Sequence, residues 1–441
     1  MAEGRLHGKN RVAFFRAPSR QFDSPLTQYN QSMSIFHDKR ILLGVSGSIA
    51  AYKSADLASK LTQAGAHVDV ILTPGAEKFI TPLTFQSVTG RRAYTDADLW
   101  GGEAHVLHVG LADQADLLVI APCTAHTLAK LAHGLADSLL TITALAYRGP
   151  LVLAPAMDGG MYEAPATQAN LETLRKRGAV VIGPAEGHLA SGLVGKGRMV
   201  EPAEILGHLR LVLGRNGPLA SRSVLVTAGG TQEPLDPVRV LTNRSSGKQG
   251  YALAQAALDA GAQVTLISAP TALTPPVGAR LIPVETAQQM LQAVLTELPS
   301  TDVLLMAAAV ADFRPQQAAS EKIKKPSRTP DAPASLIVLE TTEDILGTVA
   351  RARSETKRPL VVVGFAAESQ NLIENALEKL HSKQIDLIVA NDITAPDAGF
   401  NVDTNRVTLL AADGTQESLP LMSKAEVAEI IIKRVLALLE T

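Results

Sequence analysis

Apolar and polar positions along the chain switch repeatedly between two periods. After Arg40 the run ILLGV leads into a glycine-bearing loop. Leu57, Ala58 and Leu61 then recur at helical spacing and HVDVILT follows, which together predict a strand, a helix and a strand. Further short apolar runs, DLLVIA (116–121), PLVLA (150–154) and AVVIG (179–183), are separated by Ala/Leu-rich helical stretches. Strands this apolar predict a parallel sheet covered by helices on both faces. The pattern restarts at Ser223 with SVLVT, a Gly-Gly turn, a long polar loop, a helix through Tyr251 to Ala260, and QVTLIS. DVLLM (302–306), LVVVG (360–364) and DLIVA (386–390) add parallel strands, and RVTLL with the Asp413-Gly414 turn predicts an antiparallel edge hairpin. Val427, Ile430, Ile431, Val435 and Leu438 give the last segment an amphipathic helix. The expected fold class is α/β, with two open, mostly parallel-sheet domains in series at 40–213 and 223–441, joined by a linker at 214–222.

Composition agrees with two cores, because 441 residues at 46% hydrophobic content exceed what one ordinary core takes up. Residues 1–39 carry scattered Arg and Lys and no apolar stretch like that of a secretory signal, so a flexible extension is expected, with Met33 as a second candidate start. An organelle-targeting peptide is the competing reading, and Glu3 and Asp23 argue against it. Residues 312–335, rich in Lys, Pro, Ser and Ala, are expected to form a mobile loop whose KIKK cluster is, taken alone, a solvated basic patch. The net charge of -2, from 41 basic and 43 acidic residues, excludes a global field that recruits nucleic acid or an anionic membrane. Anionic ligands must therefore be held locally. The single cysteine, Cys123, excludes an intramolecular disulfide framework or a thiolate metal cluster and fits the reducing cytoplasm. No apolar run approaches the ~20 residues of a membrane-spanning helix.

Chemistry concentrates where strands end. The loop SGSIAAYKS (46–54) joins the first strand to the first helix, and Gly47 with its small neighbours lets backbone N–H groups approach a phosphate, although the spacing is not GxGxxG. Thr73, Pro122 and Thr124 fall at the carboxyl ends of strands, where open α/β sheets bind ligands. The strings GSIAAYKS, LHVGLADQAD around His108, PAMDGGMY with PATQANL, and GHLASGLVGKGRM together resemble the flavin-containing Cys decarboxylases, specifically phosphopantothenoylcysteine decarboxylase, over about residues 40–205. The resemblance implies a flavoprotein decarboxylase-like domain holding FMN through Gly47, Ser48, Ile49, Thr73, Thr124 and Met157. It also implies that the substrate thiol is oxidised to a thioaldehyde at the flavin, CO2 leaves, and the electrons return to the enethiol, with His108 acting near the thiol. The chain departs from the family at two catalytic positions: Asp158 stands where an Asn amide engages the substrate carboxylate, and Ser191 where a Cys donates a proton. Two carboxylates 4 Å apart repel by about 4 kcal/mol at an effective dielectric of 20, so Asp158 is expected to be protonated or paired with a cation. Cys123 is a weak candidate for the displaced donor.

TAGGTQEPLDPVRVLTNRSSGKQG (227–250) places Ser245, Ser246, Gly247 and Lys248 ahead of a helix, a phosphate-binding arrangement that is not a P-loop. With AAAVADFRP, EKIKK, VVGFAAES, DLIVAND and GFNVDTN it resembles phosphopantothenate–cysteine ligase over about residues 222–440. That resemblance implies a Rossmann-like ligase domain in which CTP and a divalent cation such as Mg2+ activate 4′-phosphopantothenate as an acyl-cytidylate that L-cysteine attacks. Carried over position by position, Asn243 holds the acyl-cytidylate carbonyl and Arg239 supports its loop. Met306, Ala307, Ala308, Asp312, Glu343, Asp344, Ile345, Leu346 and Phe365 lie at the nucleotide, although the TTEDIL string departs from the family form. Lys322 stabilises the charged intermediate, and Lys379 and Lys383, four apart, grip the triphosphate. Homo-oligomers are also implied, trimeric through the first domain and dimeric through the second. The alternatives are an active ligase with a flavin-binding but weakly active or inactive decarboxylase domain, or a non-catalytic regulatory subunit, which His108 and the intact ligase half disfavour.

Overall fold

The computed structural model describes residues 34–100, 106–324, 336–368, 371–392 and 402–440. In the first unit the strands are β1 (Arg40–Val45), β2 (His67–Leu72), β3 (Ala93–Tyr94), β4 (Leu117–Cys123), β5 (Leu151–Pro155) and β6 (Val180–Val181). They form one sheet in the order β3-β2-β1-β4-β5-β6, with every pairing parallel. Its helices are α1 (Ala51–Gln63), α2 (Pro82–Thr89), α3 (Leu107–Gln114), α4 (Ala125–His133), α5 (Leu139–Ala146), α6 (Gly159–Glu163) and α7 (Pro165–Lys176). An antiparallel hairpin, β7 (Ala185–His188) and β8 (Val194–Arg198), precedes α8 (Pro202–Gly214). Period-two alternation divides β1 between two cores: Ile41, Leu43 and Val45 pack with Leu57 and Leu61 of α1 and Leu209 of α8, while Leu42 packs with Leu128 of α4 and Leu171 of α7.

The second unit repeats the plan. Its elements are β9 (Ser223–Ala228), the hairpin β10 (Gln232–Pro234) and β11 (Val240–Thr242), α9 (Lys248–Asp259), β12 (Gln263–Ser268), β13 (Arg280–Pro283), α10 (Ala287–Glu297) and β14 (Val303–Met306). They continue through β15 (Phe313–Pro315), β16 (Leu339–Thr341), α11 (Ile345–Thr356), β17 (Val361–Glu368), α12 (Leu372–Ser382) and β18 (Leu387–Asp392). The chain ends with β19 (Thr404–Asn405), β20 (Val407–Ala411), β21 (Gln416–Ser418), β22 (Met422–Ser423) and α13 (Lys424–Leu439). The sheet runs β13-β12-β9-β14-β17-β18-β20-β21, parallel through β18 and antiparallel at β20 and β21, as the edge-hairpin reading expects. Its two faces are closed by α9 with α13 and by α10, α11 and α12. No described helix is long and apolar enough to cross a membrane.

Three boundary expectations change. Residues 1–33 lie outside the described residues, but 34–39 are not a loose extension: they form a turn that buries Phe36 to 1% exposure in the first core, a burial worth roughly 1.5–3 kcal/mol. The segment 214–222 is not a free linker. Leu219 is fully buried, its N–H donates to the Ala260 carbonyl at 2.8 Å, and a side chain at Gly214 would meet the Leu258 carbonyl at 2.9 Å. Within 312–335, Phe313–Pro315 pairs with Leu339–Thr341 as a strand, because two short extended stretches close into an antiparallel ladder that periodicity over so few residues does not reveal. Residues 325–335 lie outside the described residues.

The units meet where α8 lies on α9. Arg210 of α8 forms a two-pronged ion pair with Asp259 of α9, with Nε to Oδ1 at 2.9 Å, and its guanidinium lies 6.0 Å from the Phe36 ring centre. Glu429 of α13 sits beside this pair, and its Oε2 is buried without a hydrogen-bond partner. Burial, then the Asp259 charge, pushes its carboxyl up from 4.5 to about 7, against the pull of Arg210 and Lys433. Between those two values the folded chain keeps a proton that the unfolded chain releases, so stability falls as pH rises through this window. Glu429→Gln should therefore be more stable than wild type at pH 8, by about 1 kcal/mol once solvent screening of this half-buried group is allowed for, and nearly equal at pH 4. Urea midpoints at the two pH values measure this, and an equal shift at both would rule out titration of Glu429 as the cause.

Candidate functional site

Both candidate sites lie at the carboxyl ends of the parallel strands. In the first unit the loops after β1 and β2 touch backbone to backbone: a Cβ on Gly47 would stand 2.8 Å from the Gly75 carbonyl carbon, and one on Gly75 would stand 3.3 Å from the Gly47 Cα. Only glycine fits that approach. Ser46 ties the same loop to the end of β4, donating to the Pro122 carbonyl at 2.7 Å and accepting from the Thr124 N–H at 3.0 Å. Thr124 then caps α4 through the Thr127 N–H. These contacts frame a cavity of about 710 Å³ whose lining includes Gly47, Ser48, Thr73, Thr124 and Met157, five of the six expected cofactor residues. Ile49, the sixth, is outside the lining and 61% exposed, because a bulky apolar side chain in a tight strand-to-helix loop turns away from the backbone cradle.

The lining also holds residues that the sequence reading passed over: Asp96, His126, Lys130, Asp137, Ser138 and Thr141. Lys130 pairs with Asp137 at 2.8 Å and holds its carboxyl below the usual range. His126 and Lys130 stand four apart on α4 just after the Thr124 cap, a signal the sequence does contain. His108 lies on α3 and does not line the cavity. Cys123 is fully buried in the sheet and burial pushes its thiol up, which removes it as a proton donor.

Asp158 and Ser191, the two departures, meet each other. Ser191 lies at the tip of the β7–β8 hairpin and its hydroxyl donates to Asp158 Oδ2 at 2.6 Å, while Asp158 Oδ1 accepts from the Gly160 N–H at 3.0 Å and caps α6. Met157 donates its N–H to the Gly197 carbonyl at 2.9 Å, fixing the hairpin's base on the same loop. The expectation that Asp158 is protonated or paired with a cation is overturned: among the described residues its partners are a hydroxyl and a backbone amide. The Ser191 hydroxyl, then the Gly160 amide, hold its carboxyl below the ordinary value of 3.8.

In the second unit the β10–β11 hairpin organises the loop residues. Asn243 donates from Nδ2 to the Val310 carbonyl at 2.8 Å, and Arg239 donates from Nη1 to the Ile323 carbonyl at 3.1 Å. Lys322, next to Ile323, is exposed. Met306 ends β14, Ala307 and Ala308 follow it, and the segment is stitched to β9 and its end, with the Ala308 N–H 3.2 Å from Thr227 Oγ1 and the Ala309 N–H 2.8 Å from the Gly229 carbonyl. The β15–β16 ladder carries Asp312 to Glu343: the Thr342 N–H donates to the Asp312 carbonyl at 3.0 Å, and Arg314 lies 3.5 Å from Glu343. Lys379 donates to the Phe365 carbonyl at 2.9 Å and Lys383 pairs with Asp344, so the two lysines converge on one group of expected nucleotide residues. Burial acts to raise the Asp344 carboxyl, but Lys383, the Gly347 amide and Lys379 outweigh it and hold it low. Ile345 is 4% exposed in the core beneath, which leaves only its backbone to face a ligand. Among the described residues no group of three or more His, Cys, Asp or Glu is arranged to hold a metal.

Residues 30–213 match the family model described as Flavoprotein, and 219–439 match that of the DNA/pantothenate metabolism flavoprotein C-terminal domain. The coenzyme A biosynthesis bifunctional protein CoaBC of Bacillus subtilis (strain 168) is 44% identical over 407 residues, covering 92% of this chain and 98% of that protein. The protein of the same name from Mycobacterium bovis (strain ATCC BAA-935 / AF2122/97) is 45% identical over 412 residues, covering 91% and 97%. A solved C-terminal domain of a coenzyme A biosynthesis bifunctional protein CoaBC is 41% identical, covering 51% of this chain and 99% of that one, with a TM-score of 0.42.

Ser191→Ala should let the Asp158 pKa climb back toward 3.8 and let amides at the hairpin tip exchange severalfold faster at pH 7. Because the folded pKa is depressed, the contribution of this hydrogen bond is complete above 3.8 and is lost as pH falls through the folded value. Unchanged exchange at residues 189–193, followed by mass spectrometry, would show that the bond does not hold the hairpin.

Proposed function

This chain belongs to the family of bifunctional coenzyme A biosynthesis proteins, and from that premise we infer that it ligates 4′-phosphopantothenate to L-cysteine in its second unit and decarboxylates the product in its first. The observation that carries the first half is the backbone contact between Gly47 and Gly75, which opens a cradle of main-chain amides where the N-termini of α1 and α4 converge. Helix N-termini favour an anion, so the FMN phosphate fits there, with Thr73, Thr124 and Met157 along the rest of the cofactor. FMN, when bound, supplies the two-electron chemistry that oxidises the substrate thiol and returns the electrons after CO2 is lost. The chain's own part is to bind, orient and move protons. His108 acts near the thiol from outside the cavity wall of its own chain, and homo-oligomeric contacts, trimeric in this half, are part of the reading. Ser191 and Asp158 act as one unit: Asp158 accepts the Ser191 hydroxyl in the resting site and holds the hairpin tip, and Ser191 relays a proton to the enethiol carbon while taking one from water in its place, so that no alkoxide is left beside the carboxylate.

In the second unit, Asn243 holds the acyl end of the activated intermediate and Arg239 supports its loop, Lys379 and Lys383 hold the triphosphate of CTP, and Lys322 stabilises the charged intermediate as negative charge grows on the leaving pyrophosphate. Met306, Ala307, Ala308, Asp312, Glu343, Asp344, Leu346, Phe365 and the Ile345 backbone line the nucleotide. A divalent cation such as Mg2+ accompanies the phosphates, the usual role of an ion that keeps most of its waters. The exposed side chains of Phe313 and Leu339 on the β15–β16 ladder, and of Ile337 just before it, support dimeric contacts in this half. The reading places the protein in the cytoplasm.

The purified protein should be yellow and release FMN on denaturation, whereas Gly47→Ala should retain under about a tenth of the flavin, because both atoms that would clash are backbone and cannot move aside. CTP-dependent pyrophosphate release should persist in that variant and shows that it has folded. A colourless wild-type protein that takes up no added FMN would overturn the flavin reading. Absence of CTP-dependent ligation would overturn the other half.

A further inference from the structure

The β10–β11 hairpin turns through Leu235–Arg239, and its Asp236 side chain is fully buried although it carries a charge. Four donors converge on it. Oδ1 accepts the Val238 and Arg239 N–H groups at 2.8 and 2.9 Å, and Oδ2 accepts the Ile323 N–H and Arg239 Nη1, both at 3.1 Å. The same guanidinium nitrogen donates to the Ile323 carbonyl at 3.1 Å. The two peptide units flanking Ile323 are thus held at once, one by the carboxylate and the other by the arginine that the carboxylate orients. One of them is the peptide that joins Ile323 to Lys322. A third tie, from the Ala319 N–H to the Leu235 carbonyl at 2.9 Å, fastens the preceding residues to the same turn. The carboxylate and the amide it accepts are 87 positions apart in sequence, so the contact is a long-range constraint.

We propose that Asp236 is a positioning residue of the ligase centre, placing Lys322 by gripping the Ile323 backbone together with Arg239. The proposal rests on the reading of Lys322 as the cation that balances charge in the activated intermediate. A lysine on an exposed loop otherwise samples many positions, and a catalytic cation is effective only when its place is set before the charge appears. Asp236 meets that need through an acceptor that the surrounding donors cannot replace. Burial acts to raise its carboxyl, but the Val238, Ile323 and Arg239 amides and the Arg239 charge outweigh it, so it stays ionised. An asparagine in its place turns a donor toward the Ile323 N–H and the guanidinium, which breaks the grip while preserving size.

A double-mutant cycle in the full-length, FMN-loaded protein tests this, with CTP-dependent ligation as the readout and decarboxylation by the same molecule as the folding control. Asp236→Asn should lower the ligation kcat by about 10- to 100-fold with little change in the KM for CTP, the loss expected when a catalytic group is displaced by about 1 Å. Lys322→Gln should lower kcat in the same way. In the Lys322→Gln background, Asp236→Asn should cost no more than about threefold further, because a residue that acts through Lys322 has nothing left to position. Losses that multiply in the double variant, or a rise in the KM for CTP in place of the fall in kcat, overturn the positioning role. Near-normal turnover in Lys322→Gln overturns the reading of Lys322 itself, which separates the two failures. Should Asp236→Asn lose decarboxylation as well as ligation, Asp236→Glu, which retains the charge with a longer reach, takes its place in the cycle under the same criteria.

Discussion

A parallel strand buried on both faces has its backbone groups committed to neighbours and its side chains committed to packing, so it has none to offer a ligand. That restriction organises both halves of the molecule. Chemistry moves to the loops at the carboxyl ends of the strands, and those loops must be held by something other than the sheet. In the first unit the fasteners are a glycine-to-glycine backbone contact and the Ser46 hydroxyl, which links the ends of β1 and β4. In the second they are the Thr227 and Thr231 hydroxyls and the buried Asp236 carboxylate. The sheets supply rigidity; a few short polar contacts convert it into position.

Those two layers differ in how far they can be read from the chain. Strand and helix periods are local, so the runs at ILLGV, DLLVIA and LVVVG declare a twofold open-sheet plan without any knowledge of contacts. Glycines where a strand turns into a helix are legible too, which is why Gly47, Ser48, Thr73, Thr124 and Met157 come together around one cavity. The fasteners are not local. Asp158 and Ser191 are 33 residues apart, and no spacing rule announces that a carboxylate and a hydroxyl will meet. Read singly, each is a deficient replacement, and the physical argument from an isolated Asp158 points to a raised pKa. The neighbour reverses its direction. Phe36 fails for a similar reason, since one aromatic in a polar stretch has no period and its burial depends on Arg210 and on helices that come later in the chain.

The junction of the units is a further product of long-range packing. Helix α8 serves the first core through Ile205 and Leu209 and meets the second through Arg210, and the Gly214 and Gly217 backbone lies against the end of α9. The two units are thereby joined through α8 on α9, with α13 packed against α9. A carboxyl that changes charge near neutrality sits at this junction, so the electrostatics of the seam respond to conditions that leave each sheet untouched.

The Asp158–Ser191 hydrogen bond also bears on how this version of the site can have arisen. An amide at 158 would meet the same hydroxyl without the charge that draws its proton, and a thiol at 191 would donate only weakly to the carboxylate. The two positions are thus coupled through one hydrogen bond, so that a change at either alone leaves the other without the partner it has in this chain.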